Sequence, residues 1–529
     1  MTRRHPSRRF RAGTALAIVL TAVGCVRARP GPAPAPLRAA RPNIVFIVTD
    51  DMTAEDLAHM PRAKALLAGH GLTFTRAFVT DSVCTPSRAS ILTGQYAHNH
   101  GALDNAPPLG GFKKFREERK EAATLAVWLQ AAGYRTALVG KYLNGYPGSA
   151  RSYVPPGWDE WFGVFFPEPY YDFGANHDGR VQPPGVPADA YQTDVLAARA
   201  ADFIAGAPAG ERRPFLLYLA PHAPHQPARP AARHESAFSD LRAPRPPSFD
   251  EEDVSGKPGW VRAQPRLSPE VVDRIDDLYR RRLRTLLAVD EMIERLLQAI
   301  AARGELDATY VFLTSDNGFQ LGAHRLDHGK GDPYEESILV PLVVRGPGVP
   351  TGIREEPVLN IDFAPTMAEL AGAATPAGVD GRSFAPLLQG RTPGRGRWRT
   401  DFLVEHWTTE EGGIPPYSAL RSGEYLYVEY PAAERELYDL RRDPFEMHNA
   451  YAAADPALVD RLSRRLAALK ACAGATCRDE PSRAARLPAP IGIRRPVPSG
   501  GASAIAGRPR DTAAAGPRSC RPPSSPCRG

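Results

Sequence analysis

The sequence predicts an α/β fold in which a mixed, mostly parallel sheet is flanked by helices. Short β-branched or aliphatic runs alternate along the chain with amphipathic helical patterns, which is typical of such a sheet. Polar residues directly follow four of these runs, and in open α/β sheets ligands bind beyond the carboxyl ends of the strands. We therefore expect a single site at one edge of the sheet. The predicted strands are Asn43–Val48, Arg135–Val139, Pro214–Ala220, Tyr310–Leu313 and Val340–Val344.

A long helix and an antiparallel segment complete the predicted fold. The helix begins at Ser268, an N-cap residue followed by Pro269 at the first helical position, and its apolar residues recur at helical spacing as far as Gly304. Between residues 402 and 449, polar and aromatic residues alternate, which indicates an antiparallel sheet. The sequence thus predicts a large α/β domain followed by a small C-terminal antiparallel-sheet subdomain.

The net charge of +7 lies at the two ends of the 529-residue chain. Residues 1–24 and 478–529 contribute +5 and +7, which leaves the residues between them with a net charge of −5. A slightly acidic folded part has no broad basic face for phosphate backbones, so nucleic-acid binding is disfavoured. The tail 478–529 is rich in Arg and Pro and poor in large apolar residues, and we expect it to be disordered.

The N-terminus has the pattern of an export signal, with five arginines before a short apolar stretch from Ala12 to Gly24. That stretch is too short to span a bilayer stably. The residues Ala-Val-Gly before Cys25 are similar to a bacterial lipoprotein box, so we expect a periplasmic or cell-surface protein with a lipid anchor at Cys25; cleavage nearby and secretion is the alternative. Residues 25–41 are predicted to be a linker. Export permits disulfides, and Cys472 and Cys477 are close enough in sequence to pair.

Four residues that follow predicted strands supply hard oxygen ligands: Asp50, Asp51, Asp316 and Asn317. Such a set suits Ca²⁺ and, less well, Mg²⁺, whereas Zn²⁺ favours His or Cys. Each pair also has a purely structural interpretation, since two aspartates can cap a following helix and Ser-Asp-Asn-Gly is an ordinary turn sequence. The convergence of the strand ends favours the calcium site.

The segment Cys84-Thr85-Pro86-Ser87-Arg88, followed by Ala-Ser-Ile-Leu-Thr-Gly, resembles the modification signature of the type I, formylglycine-dependent sulfatases. The match covers all five positions of the motif. Further segments extend the resemblance from about Pro42 to Asn449, and it is closest to N-acetylglucosamine-6-sulfatases and bacterial arylsulfatase-like proteins. These segments are Gly140–Asn144, Ala223–Pro227 and Thr314–Gly318.

The resemblance implies an alkaline-phosphatase-like fold and a sulfuric ester hydrolase that releases inorganic sulfate from a sulfated sugar or an aryl sulfate. It implies that a formylglycine-generating enzyme, or an equivalent, oxidises Cys84 to formylglycine. In the hydrated aldehyde one hydroxyl attacks sulfur, and the other expels the sulfate as the aldehyde re-forms. The implied boundaries are a catalytic domain at residues 42–395 and a C-terminal subdomain at residues 396–477.

The resemblance also implies roles for individual residues. His225 is implied to protonate the leaving oxygen, a role that needs a donor of near-neutral pKa. Arg88 lies four residues after Cys84, on the same helical face, and is expected to fix the diol. The sulfate is implied to lie among Lys141, His225 and Lys330. The metal is implied to be bound by Asp50, Asp51, the modified Cys84, Asp316 and Asn317.

One departure from the family pattern concerns the base for the elimination step. Many arylsulfatases have a histidine two residues after the position of Lys141, where this chain has Leu143 followed by Asn144. The base is therefore unassigned. His222 is an alternative to His225, and the His98-Asn99-His100 segment either contributes to the site or is a satisfied loop pair.

Two other classes of protein compete with this interpretation. A phosphatase or phosphodiesterase of the same superfamily would use a Ser or Thr nucleophile and His-rich zinc sites, which the sequence does not show. A surface glycan-binding protein would keep the pocket while Cys84 stayed a thiol.

Overall fold

The computed structural model describes residues 41–185, 190–206, 213–391, 394, 398–408 and 413–478. The predicted export signal, the predicted linker up to residue 40 and the predicted disordered tail from residue 479 lie outside the described residues, as do Cys25, Cys520 and Cys527. No helix in the described ranges combines the length and hydropathy of a bilayer-spanning segment.

The strands of the described residues form two sheets. They are β1 (Asn43–Thr49), β2 (Leu72–Phe78), β3 (Arg135–Gly140), β4 (Glu160–Val164), β5 (Ala175–His177), β6 (Arg180–Gln182), β7 (Phe215–Ala220), β8 (Thr309–Ser315), β9 (Leu339–Arg345), β10 (Gly352–Arg354), β11 (Val358–Leu359), β12 (Asp401–His406), β13 (Tyr417–Ser422), β14 (Tyr425–Glu429) and β15 (Arg435–Asp439). The five predicted strands correspond to β1, β3, β7, β8 and β9, within two residues at each end.

The larger sheet is mixed and mostly parallel, as predicted. Its order is β10-β2-β9-β8-β1-β7-β3-β4-β5-β6, and β11 also pairs with β2. The consecutive strands β8-β1-β7-β3-β4 are all parallel, whereas β9 and the outer strands β5 and β6 pair antiparallel with their neighbours. The smaller sheet, β12-β13-β14-β15, is antiparallel throughout.

The α-helices cover the larger sheet and one part of the smaller one. The long helix begins as predicted, because the Ser268 hydroxyl accepts a hydrogen bond from the Val271 N–H at 3.4 Å. The helices are α1 (Pro61–Leu66), α2 (Cys84–Thr93), α3 (Ala97–His100), α4 (Gly111–Glu117), α5 (Leu125–Ala131), α6 (Gln192–Ala205), α7 (Gly259–Arg262), α8 (Pro269–Ala302), α9 (Glu335–Ile338), α10 (Phe363–Ala371), α11 (Ala385–Leu388) and α12 (Pro456–Lys470).

The core lies on both faces of the larger sheet. Every residue of β1 is buried, and alternate residues enter two different apolar clusters. Phe46 packs against Phe363 of α10, with ring centroids 5.3 Å apart, whereas Ile47 lies in the cluster that contains Ile293 of α8. Because both faces are covered, the strand is a continuous apolar run and does not alternate with polar residues.

The C-terminal sheet packs on the loops at the edge of the larger sheet. The Tyr417 hydroxyl donates to the Gly331 carbonyl at 3.0 Å, and the Glu405 N–H donates to the Thr80 carbonyl at 2.9 Å. After α12, Cys472 and Cys477 form the predicted disulfide. The small subdomain is thereby held close to the site described below.

The carboxyl ends of the central strands meet at one edge. In the register of the sheet Thr49 lies beside Ser315, and Gly140 lies beside Ala220. The polar residues that follow these strands therefore emerge together, which confirms the convergence expected from the sequence.

Candidate active site

Two consecutive aspartates follow β1 and are both buried. Asp50 continues from the strand, with its N–H donating to the Ala223 carbonyl at 3.2 Å. Asp51 has a φ of 71°, in the left-handed region that aspartate tolerates better than most residues. Since successive side chains of a strand point to opposite faces, this break in extended conformation allows both carboxylates to face one site.

Cys84 is the first residue of α2 and lies between the aspartates and a lysine. Its thiol donates to Asp50 Oδ1 at 3.4 Å, and Lys330 Nζ donates to its sulfur at 2.7 Å. Lys330 also forms an ion pair with Asp51, and Lys141 Nζ lies 2.7 Å from Asp50 Oδ2. The structure thus brings Cys84 and both predicted lysines together around Asp50 and Asp51.

Arg88, which lies about one turn after Cys84 in α2, forms a fully buried ion pair with Asp316. Arg88 Nε lies 2.8 Å from Asp316 Oδ2, and a terminal guanidinium nitrogen lies 3.8 Å from Asp50 Oδ1. The other Asp316 oxygen accepts the N–H groups of Asp51 at 3.1 Å and Asn317 at 2.9 Å. Both oxygens of Asp316 therefore already have hydrogen-bond donors inside the protein.

Two histidines face the aspartates from the loop after β7. His222 Nδ1 lies 3.2 Å from Asp50 Oδ2, and His225 Nε2 lies 3.7 Å from Asp51 Oδ2. His225 Nδ1 is 2.7 Å from the Gln226 carbonyl oxygen, which only accepts, so the ring proton is on Nδ1. In the neutral ring, Nε2 then presents a lone pair to the site.

The buried environment shifts the pKa values of these groups in different directions. Burial lowers the pKa of His225 to about 4, although Asp51 and Asp50 oppose this. Burial raises the pKa of Cys84 well above its usual value, and Asp50 adds to the effect. The protein without bound ligands therefore holds His225 neutral and Cys84 as a thiol, which is a poor nucleophile compared with a thiolate. The near-neutral donor expected at His225 is not present in this state.

The charges of the aspartates are set by their cationic neighbours. Burial alone raises the pKa of Asp50, but the ammonium of Lys141 and the guanidinium of Arg88 outweigh it and hold the pKa well below the usual value. For Asp316 burial prevails over Arg88 and raises the pKa to about 6. Asp50 is the more firmly ionised of the two carboxylates.

The donor set fits a hard divalent cation. Ligand atoms of Asp50, Asp51, Cys84 and His225 all lie within 4.8 Å of one another. Asn317 donates from its Nδ2 to Asp51 Oδ1 at 2.7 Å, and its Oδ1 is buried with no hydrogen-bond partner in the described part of the chain. Carboxylate and amide oxygens are the ligands that calcium and magnesium favour, and an oxidised Cys84 would offer oxygen in place of sulfur.

This grouping differs in part from the predicted ligand set. Asp50, Asp51 and Cys84 belong to it, and Asn317 is hydrogen-bonded to Asp51. Asp316 lies beside them, and its oxygens accept hydrogen bonds from the Asp51 N–H and Arg88. His225, which the sequence analysis placed at the sulfate, belongs to the group. The His225 ring therefore lies within reach of either a metal ion or a substrate oxygen.

A cavity of about 420 Å³ opens onto Asp51, His225 and Lys330. The sequence analysis did not identify most of the residues that line this cavity, because they lie in loops that carry no strand pattern and no motif. For the lining residues between 319 and 332, proximity to Lys330 in the sequence was the one local signal. The additional lining residues include Gln264, Phe319, Gln320, His328, Asp332 and Ile414.

The remaining histidine segment does not join the site. His98 Nδ1 lies 3.0 Å from Glu405, and its Nε2 lies 3.0 Å from the Cys472 carbonyl, while His100 is buried against Ser90. These contacts tie α3 to the C-terminal subdomain, which agrees with the interpretation as a satisfied loop pair.

The residues after Lys141 also serve the structure. Leu143 is part of the apolar core, and Asn144 Oδ1 accepts a hydrogen bond from the Thr85 hydroxyl at 3.2 Å. Neither is a base for the elimination step, which stays unassigned.

The sheet order and the cluster at its carboxyl edge define an alkaline-phosphatase-like hydrolase. A sulfatase family model matches residues 42–373, and a model of the C-terminal part of N-sulphoglucosamine sulphohydrolase matches residues 324–472. The chain belongs to the sulfatase family and is a sulfatase.

Named relatives agree with this assignment. The chain is 32% identical to human N-acetylglucosamine-6-sulfatase, with 83% of this chain and 86% of the relative covered. It is 34% identical to an arylsulfatase of Volvox carteri, with 83% and 76% covered. A solved structure of a protein in complex with its substrate D-glucosamine-2-N,6-O-disulfate is similar over 81% of this chain and 97% of that one, at 27% identity and a TM-score of 0.68.

Proposed function

We propose that this sulfatase removes sulfate from a 6-O-sulfated glucosamine, using formylglycine made from Cys84 and a bound calcium ion. The observation that supports it most directly is the position of Cys84 at the start of a buried helix, in contact with both Asp50 and Lys330. The sugar is proposed from two similar proteins, human N-acetylglucosamine-6-sulfatase and the protein of solved structure in complex with D-glucosamine-2-N,6-O-disulfate. Aryl sulfates are expected to act as surrogate substrates.

The chemistry proposed for Cys84 depends on its oxidation. Buried as a protonated thiol, the unmodified side chain is a poor nucleophile. As the hydrated aldehyde, it carries two hydroxyls, and one attacks sulfur while the ester oxygen departs with the sugar. Loss of the proton from the second hydroxyl re-forms the aldehyde and breaks the bond to sulfate. A formylglycine-generating enzyme, or an equivalent, is the maturation partner that this proposal requires.

Asp50, Asp51, the modified Cys84, Asp316 and Asn317 are proposed to hold the ion; Asp316 Oδ2 accepts one hydrogen bond, from Arg88, and keeps a lone pair for it. When bound, a calcium ion would supply positive charge next to the sulfuryl oxygens and the nucleophilic hydroxyl. Lys141 and Lys330 are proposed to bind the sulfate. Both are buried, and Asp50 and Asp51, respectively, outweigh burial and keep the pKa of each ammonium above its usual value. Fixed cations of this kind stabilise the charge that develops in the transition state.

His225 is proposed to protonate the leaving oxygen. The free ring is neutral with its proton on Nδ1, so this role requires a second proton at Nε2 when substrate binds. An anionic sulfate beside the ring favours that proton, because a nearby negative charge raises the pKa of an imidazole.

Replacing His225 by alanine tests this role through the leaving group. We expect kcat for a sugar sulfate to fall by about 10²- to 10⁴-fold. For p-nitrophenyl sulfate, whose leaving oxygen needs little protonation, the expected loss is less than about tenfold. The exposed His70→Ala variant is the matched control. Equal losses on both substrates would assign His225 to the metal or to binding and would reject the acid role.

The proposed function is tested by sulfate release from a panel of esters. Natively matured protein is incubated with 6-O-sulfated N-acetylglucosamine, its 3-O-sulfated isomer and p-nitrophenyl sulfate, with and without a calcium chelator. We expect the 6-O-sulfated sugar to be the best sugar substrate, and the chelator to lower its turnover by at least about 100-fold until calcium is restored. Sulfate release that is indifferent to the chelator would reject the calcium proposal.

Aldehyde-specific labelling distinguishes a sulfatase that carries formylglycine from a protein that only binds glycans. A protein whose Cys84 stays a thiol gives no label and no turnover but still binds the sugar. A label at residue 84 together with turnover supports the enzyme.

We propose export to the cell surface or periplasm, or secretion, since extracellular sulfatases of Drosophila melanogaster and Caenorhabditis elegans are among the relatives. A lipid anchor at Cys25 is part of this proposal, and mass spectrometry of the mature N-terminus tests it.

A further inference from the structure

A second group of metal-ligating side chains includes residues on both sides of Lys330 in the chain. Ligand atoms of His324, Glu336 and Glu446 all lie within 4.8 Å of one another. None of the three belongs to the group around Asp50 and Asp51. Three separate parts of the chain contribute: the loop after β8, the helix α9 and the segment after β15.

His324 is held in the orientation typical of a metal ligand. Its Nδ1 lies 2.8 Å from Glu251 Oε2, and its ring lies against the ring of Tyr334, with centroids 4.3 Å apart. Its Nε2 is buried and has no hydrogen-bond partner among the residues that the structure describes. Histidines that bind metals commonly donate the other ring N–H to a carboxylate, which fixes the tautomer and the ring. Glu251 is placed to accept that hydrogen bond.

The two glutamates each present an unused oxygen. Glu336 Oε2 and Glu446 Oε1 are buried, and neither has a hydrogen-bond partner in the described ranges. The second oxygen of Glu446 accepts the Glu335 N–H at 3.3 Å, and that of Glu336 lies 3.4 Å from the Ser248 hydroxyl. An unpartnered buried carboxylate oxygen is strongly unfavourable unless a cation or a proton compensates it.

The charges of the surrounding groups call for such compensation. Lys257 Nζ lies 3.7 Å from Glu251 Oε2 and donates to the Glu446 backbone carbonyl. Of the three carboxylates of Glu251, Glu336 and Glu446, only that of Glu251 forms an ion pair with this ammonium among the residues that the structure describes.

We propose that His324, Glu336 and Glu446 bind a divalent transition-metal ion, Zn²⁺ in the first instance, and that Glu251 orients His324. One imidazole nitrogen combined with carboxylate oxygens suits zinc better than calcium, which takes six to eight oxygens. Ligand atoms of one zinc ion lie roughly 3 to 4 Å apart, so small side-chain movements close the group around the ion. A divalent ion would neutralise the carboxylates of Glu336 and Glu446, with which Lys257 forms no ion pair in the described part of the chain.

The site has a consequence for the active centre. His324 lies six residues before Lys330, and Glu336 lies six residues after it, so the ion joins both ends of this segment. Glu446 connects the same ion to the C-terminal subdomain. The ion is therefore a structural element that positions Lys330, and it takes no part in bond breaking.

Metal content of the purified full-length protein tests the proposal directly. We expect about one equivalent of zinc, retained after calcium is removed with a calcium-selective chelator. In Glu446→Gln and His324→Gln variants we expect zinc to be lost while calcium content stays unchanged, and in the exposed His70→Gln control we expect no change. Asp51→Asn should show the reverse pattern, losing calcium and keeping zinc.

Thermal unfolding of the wild-type chain decides the question if a variant fails to fold. After zinc is stripped, adding Zn²⁺ is expected to raise Tm by several degrees, because a ligand that binds only the native state stabilises it. With the calcium site kept saturated throughout, further Ca²⁺ or Mg²⁺ at the same concentration is expected to change Tm much less. Absence of a transition metal in wild-type protein together with a Tm unchanged by Zn²⁺ or Mn²⁺ would overturn the proposal and would indicate carboxyls that share protons. Zinc retained in both folded variants would also overturn it.

Discussion

Replacing Cys84 by alanine is expected to abolish sulfate release while leaving the fold intact. The side chain is the proposed nucleophile after oxidation, and loss of a covalent nucleophile lowers kcat by up to about a million-fold. The fold should persist because the α2 backbone and the Arg88–Asp316 ion pair do not depend on the sulfur atom. Sulfate release is measured by ion chromatography, and the melting temperature of the variant should stay within a few degrees of wild type.

Replacing Cys84 by serine separates the attack on sulfur from the expulsion of sulfate. Cys84→Ser keeps one hydroxyl next to Asp50 and Lys330 but lacks the second, so any reaction should stop at a covalent sulfate ester. Intact-protein mass spectrometry would detect the added sulfate. Repeated turnover by the serine variant would contradict the proposed exit through the aldehyde, and turnover by a wild-type protein with an unmodified thiol would contradict the whole mechanism.

Asp51→Asn is expected to lower kcat/KM by about 10²- to 10³-fold, a loss that added calcium does not fully restore. The substitution keeps the size of the side chain and removes one negative charge at the point where Lys330, Asn317 and His225 meet. A neutral amide binds Ca²⁺ more weakly than a carboxylate and no longer pairs with the ammonium of Lys330. The measurements are calcium affinity by titration calorimetry and kcat/KM as a function of calcium concentration.

The exposed Asp240→Asn variant is the control for Asp51→Asn, since it makes the same chemical change at the surface. It should match wild type in both measurements. Unchanged calcium affinity in Asp51→Asn would remove Asp51 from the ligand set. A loss of activity without a loss of calcium would then assign Asp51 to the positioning of Lys330.

The central strands, the long helix α8 and the motif at Cys84 could be predicted from the amino-acid sequence alone. These features depend on local chemistry: a strand covered on both faces must be apolar throughout, as β1 is, and Ser268 with Pro269 starts a helix wherever it lies. The strand ends also predicted that Asp50 and Asp316 would meet, because parallel strands present their carboxyl ends at one edge.

The contacts that these groups make became visible only in the folded structure. The oxygens of Asp316 are occupied by Arg88 and two backbone N–H groups, and the Gln226 carbonyl fixes the tautomer of His225. The group of His324, Glu336 and Glu446 has no sequence motif, because its members come from three separate parts of the chain. Burial and the partners of a titratable group depend on residues that are hundreds of positions apart, so protonation states and unpartnered atoms arise only when the chain has folded.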